Sequence, residues 1–501
     1  MFRTSLPAGL REPISSGGAS PEPTVNEASN FSSPVEFRNR VQGPADTGDK
    51  LVVVTVVYGC TMIGKLQGKL PIVTKNPVEL SSRIVDAGEH DERVNRVTQQ
   101  LTELTHDISI VESFSHIYSF RTEDGLVCVD SSGKMTGEEA VKSVRTWSTE
   151  RVHSLVYTHG HVDHVGGSGD IATDAVRRGY AAPNVIGHEA VAARFDRYIL
   201  TDGYNSDINA RQFGGISTAN GIGLAGGPRF LPEDVLWPDQ TFVSSHDLSV
   251  GGTEFELHHA KGETDDHLWA WVPSSKALCV GDLVTWVFPN CGNPQKVQRF
   301  PLEWAAALRE MQSYDAEWLL PAHGLPVHGK ERIDRVLDDL ATSLEILVKD
   351  TLEKMNAGES LDAIIHSVTV PDDLLARPWM QPVYDEPEFV VRNLWRLYGG
   401  WWDKNPANLK PAPESVFAAE LVNLAGGAVA MTARATEVAD SGDLRLACQL
   451  IELAVQADPL SVSAHGVRAD IYQARRDAEF SLMSKGIYAS ASRQSRAIAG
   501  D

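Results

Sequence analysis

The sequence predicts a mixed α/β domain of layered sheets and helices, followed by an all-helical region. Two observations carry this expectation. From about Ile108, short apolar runs alternate with amphipathic stretches, and after His323 the apolar residues recur at steps of three and four. Gly125 to Asp130 reads as a buried strand, Thr136 to Trp147 as the helix after it, and Ser154 to Tyr157 as the next short strand. Asn184 to Glu189 is a strand-to-helix junction, and Glu254 to His259, Ala277 to Val280 and Trp318 to Leu320 are further strands. In the second region Ile333, Val336, Leu337, Leu340, Leu344, Leu347, Val348, Leu352 and Met355 form one apolar stripe, which Asn356-Ala357-Gly358 ends. Ala430 to Asp440 and Leu444 to Gln456 follow as helices of one or two hairpins. No fixed period recurs, so a repeat array is not expected.

The 501 residues, 42% apolar and 22% charged, suffice for two to three domains with a large core. The expected division is a disordered tail over 1–48, an N-terminal extension over 49–106, the α/β domain over 107–332, the helical domain over 333–490 and a short tail over 491–501. The first segment is rich in Ser, Pro and Gly and has neither a basic n-region nor an apolar h-region, so it does not read as a secretory signal. The apolar run Leu51 to Tyr58 falls far short of the roughly 20 residues that cross a bilayer, and no membrane span is expected. Five scattered cysteines without a CxxC pair argue against a disulfide framework and fit a reducing, cytoplasmic location. A net charge of −22 makes nucleic acid an unlikely partner class, since phosphate contact needs basic clusters.

The densest chemistry lies in Thr158-His159-Gly160-His161-Val162-Asp163-His164, three imidazoles and a carboxylate within six positions after a short strand. Gly166-Gly167 lets the backbone turn behind them. His159 and His161 can face one metal ion while Asp163 and His164 face a neighbouring one.

This segment resembles the HxHxDH signature of the metallo-β-lactamase-fold hydrolases. The resemblance implies an αββα sandwich with two metals at one edge of the sheets, and further ligands at later strand ends. Gly281-Asp282 and Ala322-His323-Gly324 occupy two such ends; Asp282 would bridge the metals and His323 would complete the second. At the third, Lys261-Gly262-Glu263-Thr264 has a glutamate where most members carry histidine, which resembles the type III alkyl sulfatases. Glu263 adds negative charge to the first metal's shell and makes it a harder site. His258 and His259, four or five residues earlier, are alternatives to Glu263, and His267 is read as a support for Glu263 or a loop residue. Two zinc ions per chain are implied, with Asp163 and Asp282 as the carboxylates at the centre of catalysis. Asp130 ends a strand on the same edge and either braces a ligand histidine or is an ordinary turn aspartate. The stretch Trp395 to Leu409 is similar to the helical dimerisation domain of the same alkyl sulfatases, which implies an all-α dimerisation domain and a homodimer. Trp395, Trp401 and Trp402 are then helix and interface packing. Those enzymes usually continue into a sterol-carrier-like domain; with a sequence ending at Asp501, long-chain surfactants are not the expected substrates.

A dinuclear zinc site lowers the pKa of a bound water to about 7, so hydroxide is available as nucleophile at neutral pH. The choice of ester rests on Pro289 to Arg299. By the resemblance, Asn290 matches a sulfate-gripping asparagine, and Lys296 and Arg299 match its basic partners, with Asn293 a further amide donor. The loop departs from the family pattern in being compacted around Gly292 and Pro294, and Asp282 stands where the family has a glutamate. Arg194 to Gly215 is read as a lid, with Tyr204 and Arg211 as pocket residues. The function expected is a zinc-dependent hydrolase of alkyl or related small, anionic organic sulfate esters. A lactone, carboxylic ester or phosphodiester is the alternative on the same metals, and a non-catalytic dimeric scaffold is the third reading.

Overall fold

The computed structural model describes residues 76–88, 92–212 and 229–500. The tail expected over 1–48, the extension through residue 75 with Leu51 to Tyr58 and Cys60, and the last three residues of the expected lid, 213–215, lie outside these residues. Thirteen strands form two sheets among the described residues. The first, in spatial order, contains β1 (Leu101–Glu103), β2 (Ile108–Val111), β3 (Ile117–Thr122), β4 (Gly125–Val129), β5 (Val152–Val156), β6 (Asn184–His188) and β7 (Gln240–Phe242). It is antiparallel as far as β4 and parallel from β4 to β7. The second sheet contains β8 (Ser245–Val250), β9 (Thr253–His259), β10 (Leu268–Val272), β11 (Ala277–Gly281), β12 (Trp318–Pro321) and β13 (Val327–His328), neighbours in that order. Only its β11–β12 pair is parallel.

Side chains alternate faces along each strand, and both sheets are covered on both sides. Val127 and Val129 of β4 and Ala277 and Cys279 of β11 meet in a core between the sheets. Leu126 and Cys128 point instead at the helices Gly137–Trp147, Ser168–Arg177 and Ala190–Leu200. Leu278 and Val280 point at Pro77–Ala87, Pro301–Gln312 and Lys330–Asn356 on the outer face of the second sheet. The result is four layers, αββα.

The helix Lys330–Asn356 carries the expected stripe, but Ile333, Leu337, Leu340 and Leu344 bury it in the same core as Trp269, Leu278 and Trp304 of the α/β domain. Trp379, Val390 and Leu394 join that core as well. A division at residue 332 therefore cuts through continuous packing. At the other end, β1 and the helix Pro77–Ala87, placed in the extension by sequence, are part of the sandwich. Five helices follow from Glu414 to Ala499, around a separate core that includes Met431, Ala447, Ile451 and Ile471. The last of them, Leu482–Ala499, continues through what was expected to be a tail after 490. No single described helix is long and apolar enough to cross a membrane; the pair Glu414–Leu424 and Ala428–Asp440 reaches that composition only jointly, bent by 86°.

Candidate metal centre

Strand direction decides where the site forms. β4 and β5 are parallel, and so are β11 and β12, so Asp130, the His159 loop, Asp282 and His323 all follow strand C-termini. The β9–β10 turn reaches the same edge, because β10 runs antiparallel to β11 and therefore begins where β11 ends. That turn carries Glu263. Close approach at the edge is set by Gly281, whose φ is +50° and where a Cβ would stand 2.7 Å from Thr158 Cβ and 2.8 Å from His267 Cε1. After β5 the backbone passes through His159 and Gly160 into the short turn of helix Val162–Val165, so the ligand-type side chains fan inward.

Two groups of side chains converge there, His159, His161 and Asp282 in one, and Asp163, His164 and His323 in the other. His159 Nε2 and His161 Nδ1 lie 2.8 Å apart. Asp282 stands between the groups, with Oδ2 3.9 Å from His159 Nε2 and Oδ1 3.4 Å from His164 Nε2 and 3.6 Å from His323 Nε2. Asp163 Oδ2 is 3.3 Å from His323 Nε2. Glu263 Oε1 lies 3.8 Å from His161 Nδ1, beside the first group. His258 stacks on Trp269 at 4.2 Å and His259 on His188 at 3.8 Å, and neither belongs to a group.

These residues suit a pair of divalent cations. His164 Nε2 and Asp282 Oδ1 are buried without a hydrogen-bond partner among the described residues, which is costly unless something else satisfies them. Burial holds His159 and His161 well below the ordinary histidine range, in the neutral form that ligates metals. Burial alone would raise Asp282, but His164 and His323 hold its carboxyl below the usual range. Burial pushes Glu263 up to about 8 in spite of Arg299, and a further cation beside it would favour the charged carboxylate.

Behind the groups stands a brace. Asp130 accepts from Thr158 N and Thr158 Oγ1 at 2.8 Å each and from His164 Nδ1 at 2.8 Å, which turns Nε2 of His164 to the centre. Asp266 accepts from Gly160 N at 3.0 Å and from Arg194 Nε at 2.7 Å. His267, expected near Glu263, instead accepts from Asp282 N at 3.1 Å and stacks on His159.

Residues 111–323 match the metallo-beta-lactamase superfamily, and residues 360–497 match the alkyl sulfatase dimerisation family. The chain carries a metallo-beta-lactamase domain followed by an alkyl sulfatase dimerisation domain. A linear primary-alkylsulfatase of Pseudomonas sp. (strain ATCC 19151) is 25% identical over 360 residues, 69% of this chain and 67% of that protein. The alkyl/aryl-sulfatase BDS1 of Saccharomyces cerevisiae is 26% identical over 368 residues, 69% of this chain and 55% of that protein. A second linear primary-alkylsulfatase from Pseudomonas sp. is matched over 49% of its length, so the chain spans between half and two thirds of these curated relatives. In fold it resembles the stereoselective inverting sec-alkylsulfatase Pisa1 from Pseudomonas sp., with a TM-score of 0.69 at 22% identity over 79% of this chain and 66% of that one.

Beside the two groups lies a cavity of about 420 Å³. Asn290, Asn293, Lys296 and Arg299 line it, as does Tyr204. Arg211 does not; it bonds Gln295 Oε1 at 3.0 Å and pairs with Asp207. Asn290 and Arg299, expected to grip substrate, both hold Glu263: Asn290 Nδ2 donates to its Oε1, and Arg299 Nη1 stands 3.1 Å from the same oxygen. Lys296 donates to Asn209 Oδ1 at 3.2 Å, and burial pulls its ammonium down to about 8. The stretch read as a lid is two helices, Ala190–Leu200 and Asp202–Gln212, whose Arg197, Tyr198, Asn205, Ile208 and Asn209 make one wall of the cavity.

Proposed function

We propose that the protein hydrolyses small organic sulfate esters at a dinuclear zinc centre and does so as a homodimer. The observation that carries the reading is a single cavity in which two metal-type ligand groups face a loop rich in amide and cationic donors. His159, His161 and Asp282, with Glu263 beside them, would hold one ion, and Asp163, His164 and His323 the other, with Asp282 between. When bound, the pair would supply Lewis acidity and bring a water to a pKa of about 7. Lys296 and Asn293 offer a cation and an amide N–H to an anionic ester, the donor set that suits a sulfate. Arg299 and Asn290 hold the Glu263 carboxylate in place. Tyr198, Ile208 and Phe230 give the organic group an apolar wall that keeps water from it. The alkylsulfatase names of the curated relatives favour sulfate over other esters.

The test is metal analysis together with release of inorganic sulfate from short primary, secondary and aryl sulfates, with Asp163→Ala as the blank. Two zinc ions per chain and sulfate release abolished in the variant are expected. Two metals with no sulfate released would move the substrate to a lactone, carboxylic ester or phosphodiester.

A further inference from the structure

The donor-rich loop is held from behind by the helical region. Phe288 N donates to Gln381 O at 3.1 Å, and Gly292 N to Asp385 Oδ2 at 2.6 Å, with Asp385 wholly buried. Gly292 approaches the helix Pro387–Gly399 so closely that a Cβ there would stand 2.2 Å from Val390 N. Asn393, on the same helix and 6% exposed, grips Arg299 at both ends of its backbone. Its Oδ1 accepts from Arg299 N at 3.3 Å, and its Nδ2 donates to Arg299 O at 3.0 Å. The same Oδ1 accepts from Gln298 Nε2 at 2.8 Å, and Gln298 Oε1 accepts from Arg396 Nε at 3.0 Å. Tyr384 and Arg396 line the cavity themselves.

All of these partners fall within residues 360–497, the part of the chain that matches a dimerisation family. A buried side-chain amide that meets both an N–H and a C=O of one residue fixes that residue's backbone: losing it takes from Arg299 N its Asn393 acceptor and leaves Arg299 O to Gln298 Nε2 at 2.9 Å, a side chain that Asn393 itself holds. We infer that the segment from Gln381 to Arg396 is a wall of the active site, with Asn393 as the positioning residue that sets Arg299 and, through it, Glu263 and the donor side of the cavity. What the loop binds rests on the sulfatase reading; the clamp does not.

The experiment uses the full-length, zinc-loaded protein with Asn393→Ala and Asn393→Asp. The aspartate keeps the size and the acceptor but loses the donor to Arg299 O, and serves where the alanine does not fold. Amide hydrogen exchange in the peptide covering 288–299 should become roughly tenfold faster, while exchange at 159–165 stays unchanged. For a short alkyl sulfate KM should rise roughly tenfold with a smaller change in kcat, and Arg299→Ala combined with Asn393→Ala should lose no more than Arg299→Ala alone. Unchanged exchange in the loop, or losses that multiply in the double variant, would overturn the inference. If the unmodified protein releases no sulfate, the sulfatase reading fails, and the exchange measurement still decides the clamp.

Discussion

Lys296 is the side chain whose charge the cavity controls. Desolvation, reinforced by the Arg299 guanidinium, brings its ammonium to about 8, so it carries charge below that pH and is neutral above it. Affinity for an anionic ester should therefore fall as pH rises through 8. A KM-versus-pH profile should turn upward there, whereas Lys296→Met should show a raised KM without that inflection; an inflection that survives the substitution would assign it to another group. The ligands at this scale are legible in sequence when they are local. His159 to His164 announce themselves because the backbone itself brings them together. Asp130 is legible only as one of two readings, between which its contact with His164 decides, and Asp266 is not legible, since its role depends on Gly160 and Arg194, which approach only in the folded sandwich. Asn393 is the extreme case, because nothing near it in sequence hints that its amide meets Arg299.

Among elements, the helix Lys330–Asn356 shows where patterning succeeds. Its stripe is apolar at nearly every buried position, so the period reads directly. Leu344 is wholly buried in the core on the outer side of the second sheet, and Leu344→Ala should cost about 2–5 kcal/mol through lost transfer energy and the cavity left behind. Denaturant unfolding measures this, and a loss under about 1 kcal/mol would show that the site collapses to fill the gap. The helix Asp202–Gln212 shows why a helix can go unread in sequence. Its buried positions, Asn205, Ile208, Asn209 and Gln212, have helical spacing, but three of the four are polar: all line a cavity, Asn209 and Gln212 bond Lys296, Asn293 and Tyr384 across it, and Asn205 bonds Thr201. Hydrophobic periodicity has nothing to detect there. The same limit applies to the two-residue β13, which is too short to carry a period.

At the scale of the molecule, the sandwich and the helical region were distinguishable in sequence by their change of period, but their boundary was not. Apolar residues from both sides of 332 enter one core, and composition does not record which core a helix joins. The outer helices leave apolar groups in solvent, with Phe417 57% and Leu424 75% exposed, and a second copy of the chain is the partner that the proposed homodimer supplies. Phe417→Asp combined with Leu424→Asp should yield a monomer by light scattering, while a dimer that persists would place the interface elsewhere. The placement of the ligands also constrains biosynthesis. His159 to His164 follow a strand of the first sheet, whereas Asp282 and His323 follow strands of the second. A nascent chain whose first sheet has already emerged from the ribosome holds only two of the three members of each metal group. Domains fold as units with the N-terminal part made first, so metal uptake has to wait until both sheets have closed on each other. The centre is thus a late product of synthesis, and a chain halted before β11 would leave the ribosome without the Asp282 and His323 that complete the two groups.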